Sequence, residues 1–474
     1  MIKYFTFFLL LLPFLLPAQT VTVSEDVSIR NDRFYSIIGK MKDRFILFRD
    51  RETKFEIQAF DERMRLSWNK ELELDKKKPE ILDVVAGKDY FSVIYKFKKK
   101  GDVYVKIHRY DPAATLKDST TILTYGDRFY SPNPNVIYSE NRKALLIYNF
   151  DRQNQLEATA FNLETLEVIW NKKLSLKDIN FFRDHQQIIV DNRGNMYYII
   201  EKDNKKNQKE RHHFEVFEFN GGTDGVSTFN IPVKDILTYD VFFSFDNLNR
   251  NLVAAGFYSD KSRSKTNGYF FLKVNSDNPN VQELKTHPFD EELIADLSGK
   301  NIDINKGIAD IDVQEIVMRR DGGILMIAER NRQYERRLAS SGRGYIGRDG
   351  GQYIVDYYYD DIIVISIHPD GTTHWKTVLH KRQYSQDDSA VFSSFFLLKT
   401  KKSLRFLFND EIKDDSTVSE YVLQGNGKYD RNSLMSTDDQ RIRLRFRDAL
   451  QVASNELIIP SERRNRLKLV HVQY

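Results

Sequence analysis

The chain has 474 residues and no cysteine, which excludes disulfides, thiolate chemistry and the cysteine that a lipoprotein anchor requires. Its 72 Lys and Arg against 68 Asp and Glu leave a formal net charge of +4, far from the basic excess of a nucleic-acid-binding protein. With 41% apolar residues, 33 Phe and 25 Tyr, a large core must hold the fold.

The N-terminus reads Met1-Ile2-Lys3, an apolar run from Phe5 to Leu16, then Pro17-Ala18-Gln19. A basic start, a short apolar stretch and a small residue at its end predict an export signal over 1–18, cut after Ala18. Pro13 interrupts the run, which falls short of the ~20 residues of a membrane span. The mature chain, 19–474, is expected to be one soluble periplasmic domain without a lipid anchor, with release to the medium as the runner-up.

Beyond the signal, turn signals recur at short intervals. One hairpin type has a strand, a polar turn opened by Asp or Asn, and a second strand. Its copies are Ala59-Phe60-Asp61 before Trp68, Tyr110-Asp111-Pro112 before Thr121, and Ala160-Phe161-Asn162 before Trp170. They continue with Phe219-Asn220-Gly221-Gly222, Val274-Asn275, Ile367-His368-Pro369-Asp370-Gly371 before Trp375, and Gln424-Gly425-Asn426-Gly427. A second type alternates with it, at Lys42-Asp43, Lys88-Asp89, Glu140-Asn141, Asp191-Asn192, Asp246-Asn247, Asp321-Gly322, Thr400-Lys401 and Ser454-Asn455. All three tryptophans, Trp68, Trp170 and Trp375, fall in the first type at separations of 102 and 205 residues, so the repeat is about 51 residues long.

Eight hairpins of one type and seven of the other imply eight four-stranded units with one strand missing at the C-terminus. Thr20-Val21-Thr22-Val23 can supply it by pairing with Leu467 to Val472. The expected fold is an all-β, eight-bladed β-propeller, with seven blades as the runner-up, closed by the N-terminal strand on the C-terminal blade.

Two stretches exceed what hairpin loops need, about 288–309 and 330–352. The second carries the candidate binding residues Arg330, Arg332, Arg336, Arg337, Arg343 and Arg348 among five glycines, a composition able to clamp carboxylates or phosphates. Lys98-Lys99-Lys100, Lys202 through Arg211, and Lys261-Arg263-Lys265 should lie on the same side of the ring and make it basic, against an acidic loop at Asp410, Glu411, Asp414 and Asp415.

The search for chemistry is negative. There is no zinc-protease, phosphate-loop, nucleophile-elbow or dinucleotide motif. Asp303-x-Asn305-x-Gly307-x-x-Asp310-x-Asp312 lacks the glycine and terminal acid of a calcium loop, so no metal and no cofactor are expected.

The segment Ala160-x-Asn162-x-x-Thr165-Leu166-x-x-x-Trp170 resembles the repeat of the quinoprotein-like propellers, the family of the outer-membrane assembly subunit BamB. The family pattern has glycine where Leu166 stands, and the Trp68 and Trp375 copies are shorter. The resemblance implies indoles packed between blades and a non-enzymatic scaffold for other envelope proteins, an outer-membrane β-barrel among them. A soluble accessory or plug subunit of an envelope secretion system, such as the type 9 system, is an equal expectation. The competing class is a carbohydrate- or peptidoglycan-binding module or a glycan-active propeller enzyme.

Overall fold

The computed structural model describes residues 19–474 except 128–130, 152–154, 177–178, 224, 234, 261–263, 299–306, 338–352, 411, 413–416 and 438–441. The expected signal, 1–18, lies outside the described residues, as do Lys261, Arg263, Asp303, Asn305, Arg343, Arg348, Glu411, Asp414 and Asp415.

Eight antiparallel sheets follow one another along the chain, over 34–72, 80–127, 135–175, 185–232, 237–288, 311–379, 396–436 and 450–473. From blade one to blade six the first strands of neighbouring sheets touch in ring order, and the first strand of blade one meets that of blade eight. These strands therefore line the axis, and the apolar clusters lie between successive blades. Blade eight has only three strands from its own stretch. Its fourth is Thr20–Val23, paired with Arg466–Gln473 in the register Thr20↔Gln473 to Val23↔Val470. Val27–Ser28 then adds to the same strand at Leu467 and Arg466.

Blade junctions are pinned by the residues that shape the turns. The Trp170 indole N–H donates to the Gly194 carbonyl of blade four at 2.8 Å, and its ring stacks on Phe219 at 5.9 Å. Trp375 donates likewise to Gly425 of blade seven at 3.0 Å, while Trp68 packs into the cluster shared by blades one and two. Leu166 has φ 61°, so the left-handed position of this turn holds a large side chain where glycine would be the easier choice. Around the axial opening the turns interlock: Asn192 Oδ1 accepts from the Asn141 N–H at 3.0 Å, and Asn247 Oδ1 accepts from the Asn192 N–H at 2.7 Å.

Because Val21 and Val472 are direct cross-strand partners in a chain without cysteine, Val21→Cys with Val472→Cys tests the closure. Oxidation should join the two ends and stabilise the ring by roughly 3–5 kcal/mol. The check is non-reducing gel mobility with thermal melts. Deleting residues 19–28 should instead lower the melting temperature and expose a pairing-competent edge.

Candidate functional site

Loops between second and third strands share one side of the ring with the connections between blades. Blade six departs furthest from the common pattern on that side. Its second and third strands, Ile324–Arg337 and Tyr353–Ile367, run about twice the length of their counterparts in blade four, Met196–Lys202 and His213–Phe219. The stretch expected to be a loop from Arg330 thus begins as strand. A register shift between Glu329 and Asn331 marks where the hairpin leaves the blade, as a bulge does where it bends a strand. The connection from blade six to blade seven comes back over it, and Gln383–Gln386 pairs with Tyr359 to Asp356 to make a third strand.

The register puts Arg332 opposite Tyr358, Tyr334 opposite Asp356, and Tyr358 opposite Tyr384, all on one face of this small sheet. The Tyr334 and Tyr358 rings lie 5.9 Å apart, and those of Tyr358 and Tyr384 lie 5.0 Å apart. The Arg332 guanidinium covers the Tyr358 ring at 4.9 Å. Arg336 grips Asp356 through two contacts, at 2.5 and 3.2 Å, and the Tyr384 hydroxyl donates to the same carboxylate at 2.7 Å. Tyr334 and Tyr353 stay 54% and 56% exposed.

Each arginine of the expected clamp whose side chain is described has an acid beside it. Arg330 lies 3.6 Å from Asp361 and donates to the Leu297 carbonyl at 2.9 Å, Arg332 lies 3.8 Å from Asp360, and Arg336 is bound to Asp356. Arg337 ends the strand opposite Tyr353. The structure therefore brings Arg330, Arg332 and Arg336 to one hairpin, as partners of its own carboxylates. The basic stretches at Lys98 to Lys100 and Lys202 to Arg211 do share this side of the ring, but in separate blades and with acids nearby: Lys202 pairs with Asp184, Arg211 lies 3.9 Å from Asp203, and Asp410 holds Arg431 at 2.6 Å.

Under the hairpin lies a polar rivet. The Lys381 and Glu329 side chains are fully buried and 2.6 Å apart. Lys381 also donates to the Tyr359 carbonyl at 3.1 Å and to Gln383 Oε1 at 2.9 Å. Ser394 Oγ donates to Glu329 at 2.6 Å, Gln383 donates to the Asn409 carbonyl, and Asn409 donates to the carbonyls of Phe392 and Leu444. This chain of bonds links blade six, its connection, blade seven and the next connection. Burial lowers the proton affinity of Lys381, and the Glu329 charge opposes the shift. Above it, an open cleft of about 800 Å³ between blades six and seven is lined by Arg330, Arg332, His380, Arg382 and Arg431 with Asp360, Asp361 and Asp410.

On the inner side, the blade five and blade six strands meet at Asp240. Its Oδ2 accepts the Val313 N–H at 2.6 Å. Burial, and then the Asp312 charge, push the Asp240 carboxyl up to about 6. Asp312 is itself raised by burial and by Asp310. Toward the opposite end, the axial cavity of about 500 Å³ is lined mainly by apolar groups such as Ile188, Phe242 and Ile316, with a Lys399–Glu315 ion pair at its edge. Among the described residues no group of His, Cys, Asp and Glu could hold a metal ion, and no helix is long and apolar enough to cross a membrane.

Sequence reading passed over the arginines of 443–447 and 463–466. The pattern Ile442-Arg443-Leu444-Arg445-Phe446-Arg447 was the available signal, since its apolar members are buried and its arginines turn outward. Arg443 covers the Phe392 ring at 3.8 Å and Arg447 covers Tyr359 at 4.9 Å, so both brace the base of the hairpin.

No family model matches the chain, and no curated protein matches it. Many solved structures share the general shape. The β-propeller domain of the trilobed protease from Pyrococcus furiosus, described as having an open velcro topology, is 10% identical over 86% of this chain and 100% of that one, with a TM-score of 0.37. An ulvan lyase bound to its saccharide is 9% identical over 81% and 90%, with a TM-score of 0.35. Prolyl oligopeptidase B from Galerina marginata is 8% identical over 91% and 55%, with a TM-score of 0.39. Likeness at these values carries no argument about activity.

Removing one half of the rivet leaves a buried charge alone, so Lys381→Met should cost about 3–5 kcal/mol, and adding Glu329→Gln should recover part of it. Denaturant unfolding of the two variants checks this. Asp240 gives a pH signature. Its folded value, about 6, exceeds the unfolded 3.8, so its stabilising contribution is complete below pH 3.8 and lost as pH rises through about 6. Asp240→Asn should flatten a decline of up to about 3 kcal/mol across that window, read from unfolding free energies at stepped pH.

Proposed function

We propose that this chain is a non-enzymatic, exported propeller that holds a protein partner in the bacterial envelope through the side bearing the blade-six hairpin. The observation that carries the reading is the exposed Tyr334 and Tyr353 on a hairpin whose base is riveted by Lys381 and Glu329. Tyrosine and arginine dominate the energetics of protein contacts, because they present broad amphipathic surface at low entropy cost. A rigid base lowers the ordering cost of binding further. The arginines beside the rings are occupied by Asp356 and Asp360, which favours aromatic and hydrogen-bonding contacts over capture of a free anion.

The export signal expected over 1–18 supports the periplasm as the place of action, and the resemblance to the quinoprotein-like propellers supports an outer-membrane β-barrel or a secretion-system subunit as partner. Binding of carbohydrate is the second reading. It is favoured by the Tyr334, Tyr358 and Tyr384 rings on one face, since sugars also dock on aromatic groups.

The deciding experiment is crosslinking in intact envelopes followed by affinity capture. Recovery of a large β-barrel protein with the wild type, reduced at least tenfold by Tyr334→Ser with Tyr353→Ser at unchanged melting temperature, is the expected result. Capture unaffected by the two substitutions, or retention by peptidoglycan in place of protein, would overturn it.

A further inference from the structure

The projecting part of the blade-six hairpin leaves one long edge uncovered. The innermost strand of the blade, Ile311–Met318, accompanies Ile324–Arg337 only as far as Arg330. The next residue still has a backbone partner, because the Asn331 N–H donates to the Asp310 carbonyl at 3.0 Å. That bond points away from Tyr353–Ile367, and backbone direction alternates along a strand. Gln333, Glu335 and Arg337 therefore also turn their N–H and C=O groups away from the neighbouring strand. The opposite side agrees: Val355, directly across from Glu335, exchanges bonds with Asp387 on its other side, at 2.8 and 3.0 Å. Among the described residues no strand lies along this edge, and positions 333–336 are exposed.

The outer edges of the blades are built differently. The outermost strands of blades one, two, three, six and seven each contain a register shift. Those of blades four and five end in Pro232 and Pro288, and that of blade eight is the four-residue Thr20–Val23. Bulges, prolines and shortness are the devices that keep sheet edges from pairing with other chains. Gln383–Gln386, on the far side of the hairpin, is again only four residues long. From Asn331 to Arg337, by contrast, the strand pairs in unbroken register and contains no proline. Its charges are muted as well, since Arg332 lies beside Asp360 and Arg336 is bound to Asp356. Nothing in this edge opposes the addition of a strand.

We propose that this edge takes up an extended segment of the protein partner, which pairs along positions 333–337 as a further strand. This rests on the partner reading above and adds the form in which the partner is gripped. Main-chain bonds from Gln333, Glu335 and Arg337 fix the path of the segment, and its side chains set the selectivity. In the new pair Tyr334 occupies a position without main-chain bonds, where facing side chains come closest. Its ring lies 5.9 Å from that of Tyr358, so an aromatic or β-branched residue of the segment fits across from it. Arg332 and Arg336 keep their own carboxylates, so the segment needs no acids beside them. A second copy of this chain fits poorly. Antiparallel pairing about Tyr334 sets Arg332 against Arg336, and pairing about Glu335 sets that carboxylate against itself.

The probe is a blocked peptide of alternating threonine and valine, which offers a strand and little else. With the wild type it should slow hydrogen exchange at the Gln333, Glu335 and Arg337 amides. Glu335→Pro removes an outward N–H and leaves the ladder to Tyr353–Ile367 intact, so its melting temperature should match the wild type. It should weaken peptide binding roughly tenfold, while Glu335→Ala, which keeps the N–H, stays within about twofold. Gln333→Pro should act as Glu335→Pro does. No slowing in the wild type, or equal binding by the proline variants, overturns the proposal. In envelope crosslinking, loss of the captured protein in Glu335→Pro but not in Glu335→Ala puts the natural partner on this edge. Capture lost in Tyr334→Ser with Tyr353→Ser yet kept in Glu335→Pro overturns strand addition and leaves the partner reading standing. Peptide uptake with no captured protein does the reverse.

Discussion

Ring closure is the constraint on which the remaining architecture depends. Arg466–Gln473 is flanked on one side by Glu456–Arg463 and on the other by Thr20–Val23, so the last blade is complete only when both ends of the chain have met. Without the N-terminal strand, that blade presents an unpaired edge and the ring is held at that point by side-chain packing alone. The entropy of joining distant ends grows only slowly with the length between them, so the arrangement is thermodynamically cheap while being slow to form. The closing segment is reinforced beyond the strand itself: Leu469 N–H donates to Ser24 Oγ at 2.8 Å, and the buried Arg49 donates twice to Asp32 and once to the Ser28 carbonyl.

Most of this was legible in the sequence because turns are written in residue chemistry. Asp, Asn and Gly at the ends of alternating apolar runs located the hairpins, and the count of hairpins gave eight blades and the orphan strand. The indoles were legible too, since a large ring recurring at one point of a repeat packs against the next repeat. Leu166 shows the margin of such reading: the turn persists at φ 61° although the glycine that usually marks it is gone.

The site was less legible, for a physical reason. Strands are recognised by one apolar face, and Arg330 to Arg337 has none because the hairpin projects past the core on both faces. It therefore read as loop. Nor could spacing reveal that Asp356, Asp360 and Asp361 neutralise the arginines twenty or more residues earlier, since that pairing is created by the register of the hairpin. The Lys381–Glu329 rivet is invisible in the same way: each partner alone looks like a surface charge.

The two arginine groups on this side of the ring then separate by their state of charge compensation. For Arg336 to hold an outside anion, its contacts to Asp356 must first break, so nothing is gained unless the newcomer binds better than the carboxylate it displaces. Blade six offers its rings and backbone before its charges. At blade eight the register sets Arg463 directly opposite Arg466, and among the described residues no carboxylate pairs with either. The same residue type thus stiffens a hairpin in one blade and stands opposed to its own kind in another, and the difference lies in the carboxylates that the fold brings alongside.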